Sequence, residues 1–171
     1  MDTPPDLELL LDFVNTLDVE SCADALPEFL TDARVSRYGL TEPGPAVELR
    51  ESLRAVCLAH SGVEVPAAEL AALDGVLEAA PLVVRIDAAG AAVLEPAPGL
   101  TGLAAFTARL AAIVAAAAAE GTWQRVKACE ARTCRWAYYD RSPAGRRRWC
   151  DMSVCGSRAK MRAYREARKS G

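Results

Sequence analysis

The sequence is short of the residues on which most enzymes rely. Across 171 residues there is one histidine, His60, and aromatic side chains make up 6% of the chain. A single histidine leaves Ser–His or Cys–His nucleophilic chemistry resting on one unsupported side chain. Neither a Gly-Lys-Ser/Thr phosphate loop nor a Gly-x-Gly-x-x-Gly turn occurs. No enzyme is expected. The alanine-rich stretch from Leu110 to Ala119 is bounded by Arg109 and Glu120, which makes it too short for a membrane-spanning run. The opening Met-Asp-Thr-Pro-Pro-Asp lacks the basic region of a secretory signal. These features lead us to expect a soluble, cytoplasmic protein with no membrane partner.

What is present divides in two. The formal net charge of −3 conceals a strong asymmetry. Residues 121–171 hold 14 of the 20 basic side chains and 4 of the 23 acidic ones, a net of +10, which leaves −13 for residues 1–120. A basic segment of that density suits a polyanion. The boundary falls near Gly121-Thr122, giving an expected division into 1–121 and 122–171 with separate cores. Hydrophobic residues make up 51% of the chain. Many are alanine, which buries little area each, so a modest, helix-rich core is expected.

The acidic part reads as helices with Pro/Gly punctuation. Leu7, Leu10, Leu11, Val14 and Leu17 recur at helical spacing, with Asp6 as the candidate cap. A second helix is expected over about 23–38, a chain break at Thr41-Glu-Pro-Gly-Pro45, a third helix over about 46–60, and a fourth from Pro66 through Ala80. Leu82 to Ile86 is β-rich, Asp87 to Gly90 turn-like, and Ala91 to Leu94 a returning strand. Thr101 is placed to cap a long helix to about Ala119, ended by Gly121.

Cysteine usage follows the same boundary. Cys22 and Cys57 stand alone in the acidic part and read as small buried hydrophobes. Cys129, Cys134, Cys150 and Cys155 form two pairs, spaced Cys-x4-Cys-x15-Cys-x4-Cys. A disulfide framework is not expected in a chain without an export signal. Two short-spaced pairs of soft donors suit tetrahedral zinc, each pair forming one loop over the metal. Four cysteines close the coordination shell, which makes one structural zinc per chain the expected cofactor. The intervening residues suffice for a short hairpin and a turn, with Trp136 to Tyr139 as a strand and Ser142-Pro143 as a helix start. His60 reads as a surface or helix-end side chain.

The basic residues are arranged. From Gly156 to Lys169 the sequence favours helix, and Arg158, Arg162, Arg165 and Lys169 fall within one stripe on it. Met161 and Tyr164 lie beside the stripe, where they are expected to dock the helix. Arg146, Arg147 and Arg148 directly precede Trp149-Cys150, so the metal loop would fix them. Guanidinium groups held on a small module suit phosphate oxygens and guanine edges. With Lys160, these are the candidate DNA-binding residues. The alternatives are a solvated face, or a helix that contacts the acidic part, another protein or RNA.

Trp149-Cys-Asp-Met-Ser-Val-Cys-Gly-Ser-Arg-Ala-Lys160, preceded by Cys129-x4-Cys134, resembles the CGNR zinc finger. Leu11-Asp-Phe-Val-Asn-Thr-Leu17 resembles the opening motif of the ABATE domain that usually precedes that finger. The resemblance implies a bacterial, stress-induced transcription regulator that binds double-stranded DNA through the finger. Where the family has asparagine, this chain has Ser157. Serine can still cap the terminal helix, with shorter reach; at a base-contacting position it would alter specificity. The preceding domain would sense a small-molecule effector, form a homodimer, or both. Asp12, Asn15 and Thr16 fall in its motif and are candidates to line a ligand pocket; the alternative for Asn15 and Thr16 is that they satisfy backbone groups at a helix end. The fold expected is α+β and mostly α: a helical N-terminal domain with one β-hairpin, then a small treble-clef-like zinc finger with a C-terminal basic helix.

Overall fold

The computed structural model describes residues 3–40 and 42–169. Its architecture is mixed and mostly helical. In order, it contains α1 (Pro5–Val14), β1 (Leu17–Asp18), β2 (Ala23–Asp24), α2 (Leu26–Thr31), α3 (Ala33–Ser36), α4 (Pro43–His60) and α5 (Ala67–Glu78). There follow β3 (Leu82–Ile86), β4 (Ala92–Pro96), α6 (Gly102–Ala119), β5 (Val126–Ala128), β6 (Ala137–Tyr139) and α7 (Ser157–Lys169). The strands pair as three separate antiparallel hairpins, β1 with β2, β3 with β4 and β5 with β6.

The core forms where α1, α4 and α6 meet. Phe13 of α1 lies edge-on to Phe106 of α6 with ring centroids 5.1 Å apart, and Phe29 and Tyr38 close the aromatic cluster. Leu7, Leu10, Leu49, Leu53, Leu110 and Ile113 complete it. By length and composition α6 could cross a membrane, with mean hydropathy 1.8 over its 18 residues. The charge-free run Leu110–Ala119 is only its second half and falls short of that length. In the fold, α6 buries Phe106, Leu110 and Ile113 against α1 and α4, as a core helix does.

Several local expectations give way. The second helix is two short ones, split at Asp32, whose carboxylate accepts from the Arg34 N–H and caps α3. Asp6 is not the cap of α1: Pro4 occupies that position, and Asp6 instead pairs with Arg109 at 2.8 Å. Pro43-Gly-Pro45 opens α4 rather than breaking the chain, because prolines in the first turn forgo only N–H groups that have no intrahelical partner. Thr41, also assigned to that break, lies outside the described residues. Thr101 precedes α6 without a side-chain capping bond. The hairpin β3–β4 lies as expected, but leaves Val84 and Ile86 largely exposed.

The expectation of two separate cores is also overturned. Val126, Ala128, Ala137 and Tyr139, from the hairpin β5–β6, belong to the same buried cluster as Phe13 and Leu49. The basic part contributes two of its own strands to the main core.

Candidate metal centre and basic helix

The register of β5–β6 explains how the hairpin is held. Arg125 accepts from the Asp140 N–H, and the Cys129 N–H donates to Trp136, so the pairs Val126–Tyr139 and Ala128–Ala137 turn their backbone groups outward. A two-stranded hairpin therefore has two unsatisfied edges, and side chains from the N-terminal part close both. The Asn15 side chain donates to the Ala137 carbonyl at 2.9 Å and accepts from the Ala137 N–H at 2.7 Å. On the other edge, the Ser61 hydroxyl donates to the Ala128 carbonyl at 2.7 Å, and His60 Nδ1 lies 2.8 Å from the Val126 carbonyl. A carbonyl only accepts, so the neutral His60 ring carries its proton on Nδ1. Burial holds the His60 pKa below its ordinary value.

Two buried arginines of α4 complete this support. Arg54 donates to the Val14 carbonyl at the end of α1 and to the Arg135 carbonyl just after Cys134. Arg50, 2% exposed, forms a two-pronged pair with Asp24 and donates to the Thr16 hydroxyl. Thr16 in turn donates to the Phe13 carbonyl. Asn15 and Thr16 thus spend their polar atoms on the fold, Thr16 at the end of α1 and Asn15 on the hairpin. Asp12 is half-exposed and paired with Arg34 at 2.9 Å. Sequence reasoning missed Arg50 and Arg54 because they sit in an otherwise ordinary amphipathic helix, where arginine reads as a solvated residue.

The outer face of the hairpin carries a buried ion pair. Lys127 Nζ lies 3.0 Å from Asp140 and also donates to the Gly145 and Arg147 carbonyls. Asp140 is fully buried and further accepts from Ser142 and the Arg147 N–H. Burial opposes its ionisation, but these donors hold its pKa down to about 2. Ser142-Pro143 consequently lies in a turn closed by the Gly145 N–H on the Ser142 carbonyl, not at a helix start. The hairpin pairs the expected strand after the first cysteine pair, β6, with β5 before it, rather than lying wholly between the two pairs.

Beyond the hairpin the four cysteines converge. Their sulfur atoms all lie within 4.8 Å of one another. Cys134 and Cys150 sulfurs are 3.6 Å apart, and those of Cys150 and Cys155 are 3.9 Å apart. Zinc–sulfur bonds of about 2.3 Å at tetrahedral angles put sulfurs about 3.8 Å apart. The donor set and its spacing therefore fit one tetrahedral ion. Burial pushes the Cys155 thiol up to about 12 and Cys150 higher still, with the crowded neighbouring sulfurs adding to both. Cys129 is also opposed by burial, yet backbone N–H groups of Cys150 and Ala131 bring its pKa below the ordinary value. Such a cluster resists full ionisation until a cation supplies the balancing charge.

The two cysteine loops are joined to each other by the Glu130 N–H on the Arg148 carbonyl. Arg135 takes a left-handed φ of 56° where the first loop turns into β6. In the second loop the Asp151 carboxylate accepts from the Ser153 and Val154 N–H groups and caps a wide turn over Met152–Gly156 that runs directly into α7. A Cβ on Gly156 would stand 3.1 Å from Met152 and 3.2 Å from the Trp149 ring, so glycine lets these side chains close over the turn. The Ser157 hydroxyl donates to the Met152 carbonyl at 3.3 Å. It tethers the turn rather than capping a free N–H. Around the cluster only Trp149 adds bulk to Ala131 and the cysteines.

Residues 125–168 match the CGNR zinc finger. The match spans both strands, both cysteine loops and nearly all of α7. No curated protein matches the chain.

Within this finger the eight candidate DNA-binding side chains do not stand alike. Arg162, Arg165 and Lys169 are exposed on one face of α7, with Lys160 exposed on another, and Arg146 is exposed beside the metal loop. Arg158 pairs with Glu20 at 2.8 Å, while Arg148 is held by Glu130 and packs over Trp149. Arg147 is half-buried over Tyr138 and donates to the Cys150 carbonyl. Met161 and Tyr164 do not dock the helix as expected. Both remain more than half exposed, and α7 buries no residue.

The remaining cysteines differ from one another. Cys57 is fully buried, and burial pushes its thiol up to about 12, as for an inert core residue. Cys22 was expected to be buried and is exposed, in the turn between β1 and β2 with φ 58°.

Proposed function

We propose that the protein is a zinc-dependent, DNA-binding transcription regulator of the stress-responsive kind that the sequence resemblance implies. Cys129, Cys134, Cys150 and Cys155 hold one structural zinc. The observation that carries this reading is α7, which buries nothing of its own and presents Arg162, Arg165 and Lys169 on one open face. A helix joined to a metal-fixed turn and carrying an exposed basic stripe is a surface made for phosphate oxygens. Arg146 adds a further phosphate contact from the metal loop. Lys160, exposed on another face, and Arg158, once released from Glu20, read the groove beside it. The N-terminal part, ABATE-like in its opening motif, serves as the effector and dimerisation domain of a cytoplasmic bacterial regulator.

Selection of bound sequences from a random duplex pool with the zinc-loaded full-length protein tests the reading. Enrichment of a defined site supports it. Four to five phosphate contacts predict a log–log salt slope of roughly −3.6 to −4.5, at about 0.9 per phosphate. Arg162→Gln or Arg165→Gln should weaken all duplexes alike and reduce the slope by about one. A flat pool, with affinity no greater than that of a scrambled peptide of equal charge, overturns the reading. The finger would then be a structural module for protein or RNA contact.

A further inference from the structure

An apolar cavity of about 210 Å³ lies between α4, α5 and α6. Leu53, Leu73, Leu77, Val114 and Trp123 are among its walls, and no charged side chain lines it. One polar group does. Thr107 of α6 is 1% exposed, and its hydroxyl has no hydrogen-bond partner. A threonine hydroxyl inside a helix ordinarily returns to the carbonyl one turn back. This one does not, and a buried hydroxyl left unpaired opposes folding. An apolar site with one convergent polar group is the usual composition of a small-molecule pocket. The wall formed by α5 has no buried residue of its own, so it can yield as an occupant enters.

We propose that this cavity binds a small, neutral, mainly apolar molecule carrying one hydroxyl or carbonyl, which pairs with the Thr107 hydroxyl. The size sets the class. An apolar protein cavity of about 150 Å³ accepts benzene, so this one takes a molecule of about ten non-hydrogen atoms. Its occupant would touch Trp123, whose ring meets the His60 ring edge-on at 5.1 Å. His60 in turn holds the Val126 carbonyl of the finger. The site therefore lies two side chains from β5. The proposal does not depend on DNA binding.

Titration of the zinc-loaded full-length protein with 4-propylphenol and with propylbenzene, followed by calorimetry and tryptophan fluorescence, tests it. Both probes should saturate one site per chain, the phenol binding about three- to tenfold more tightly through its single hydrogen bond. Thr107→Val removes the hydroxyl without changing shape. It should bring the phenol down to the hydrocarbon's affinity and leave propylbenzene unaffected. Ala111→Leu or Ala115→Leu fills the cavity and should abolish both, with zinc content and helical circular dichroism unchanged. Three results would overturn the proposal: no saturable binding of either probe at its solubility limit, a phenol preference that persists in Thr107→Val, or binding that survives a folded cavity-filling variant. Because zinc and fold are read alongside, failure here is distinct from failure of the finger reading.

Discussion

The two halves of the finger are secured by opposite means. The hairpin β5–β6 has its apolar face in the main core and both edges closed by Asn15, His60 and Ser61 of the N-terminal part. The cysteine loops and α7 have almost no core: among the described residues Trp149 packs beside the sulfurs and Ala131, and α7 has no buried residue. One half is ordered by hydrophobic burial and hydrogen bonds. The other gathers four cysteines whose spacing fits a metal ion. The difference teaches that the finger is not an independent unit appended to a helical domain. Its strands belong to the same core as the helices, and only the cysteine loops and α7 are left for a metal to hold.

The largest effect should follow from removing the ion. Structural zinc supplies roughly 10–16 kcal/mol of apparent binding energy in small fingers. Chelation, or Cys150→Ser with Cys155→Ser, should abolish protection of backbone amides in the cysteine loops and in α7. The amides of β5 and β6 should remain protected, because their partners do not involve the metal. Hydrogen exchange by mass spectrometry distinguishes the halves. Equal loss of protection in β5–β6 would show that the hairpin, too, depends on the ion.

Next comes the bond between the halves. Lys127, on the hairpin, reaches Asp140 and the carbonyls of Gly145 and Arg147 in the segment leading to the second cysteine loop. Lys127→Met leaves the buried Asp140 carboxylate without its cation, at a cost of about 3–5 kcal/mol. Asp140 also fixes a pH window. Its folded pKa of about 2 lies below the usual carboxylate value, so the unfolded chain binds more protons as acid is added. The stability it contributes is complete above about pH 4 and is lost toward pH 2. Asp140→Asn should be less stable at neutral pH, and its stability should change less across that acid range. Urea unfolding of the two proteins, followed by tryptophan fluorescence, checks both.

A smaller effect is expected at Asn15. Asn15→Leu keeps the branched shape but strands both the N–H and the carbonyl of Ala137, for a loss of about 2–4 kcal/mol. Zinc stoichiometry should remain one per chain, since no cysteine is touched. Loss of zinc from a folded Asn15→Leu protein would show that the metal half leans on the hairpin.

The metal half was the more legible in sequence. Four cysteines carry their chemistry in their spacing, and α7 has the helical pattern and basic stripe that the structure shows. The hairpin was legible only as one strand. β5 is three residues long and precedes the first cysteine, and the hairpin's partners, His60 and Ser61 on β5 and Asn15 on β6, lie 66 or more positions away. Pairings at that separation leave no local periodicity. Lys127 and Arg50 carry no local sign of burial, because Asp140 and Asp24, which pair with them, lie 13 and 26 positions away. Met161 and Tyr164 misled in the other direction: apolar side chains at helical spacing imply a docking face, but both remain more than half exposed.

The smallest effect concerns His60, and its sign separates a hairpin clamp from an ordinary helix-end histidine. His60 is neutral in the fold, donating from Nδ1 to Val126 with its ring against Trp123. Burial depresses its pKa below the ordinary 6.5. Between that folded value and 6.5 the unfolded chain therefore carries the extra proton, and stability falls as pH is lowered. The contribution should be complete above about pH 6.5 and decline through the range below it. Glutamine can keep a donor near the Val126 carbonyl but does not titrate. His60→Gln should thus lie within about 1 kcal/mol of the native protein at pH 7.5, and its stability should change less between pH 7 and 5. A helix-end histidine interacting favourably with the α4 terminus would do the reverse and stabilise as it gains charge. Native stability that rises on acidification through this range, and flattens in His60→Gln, would contradict the clamp.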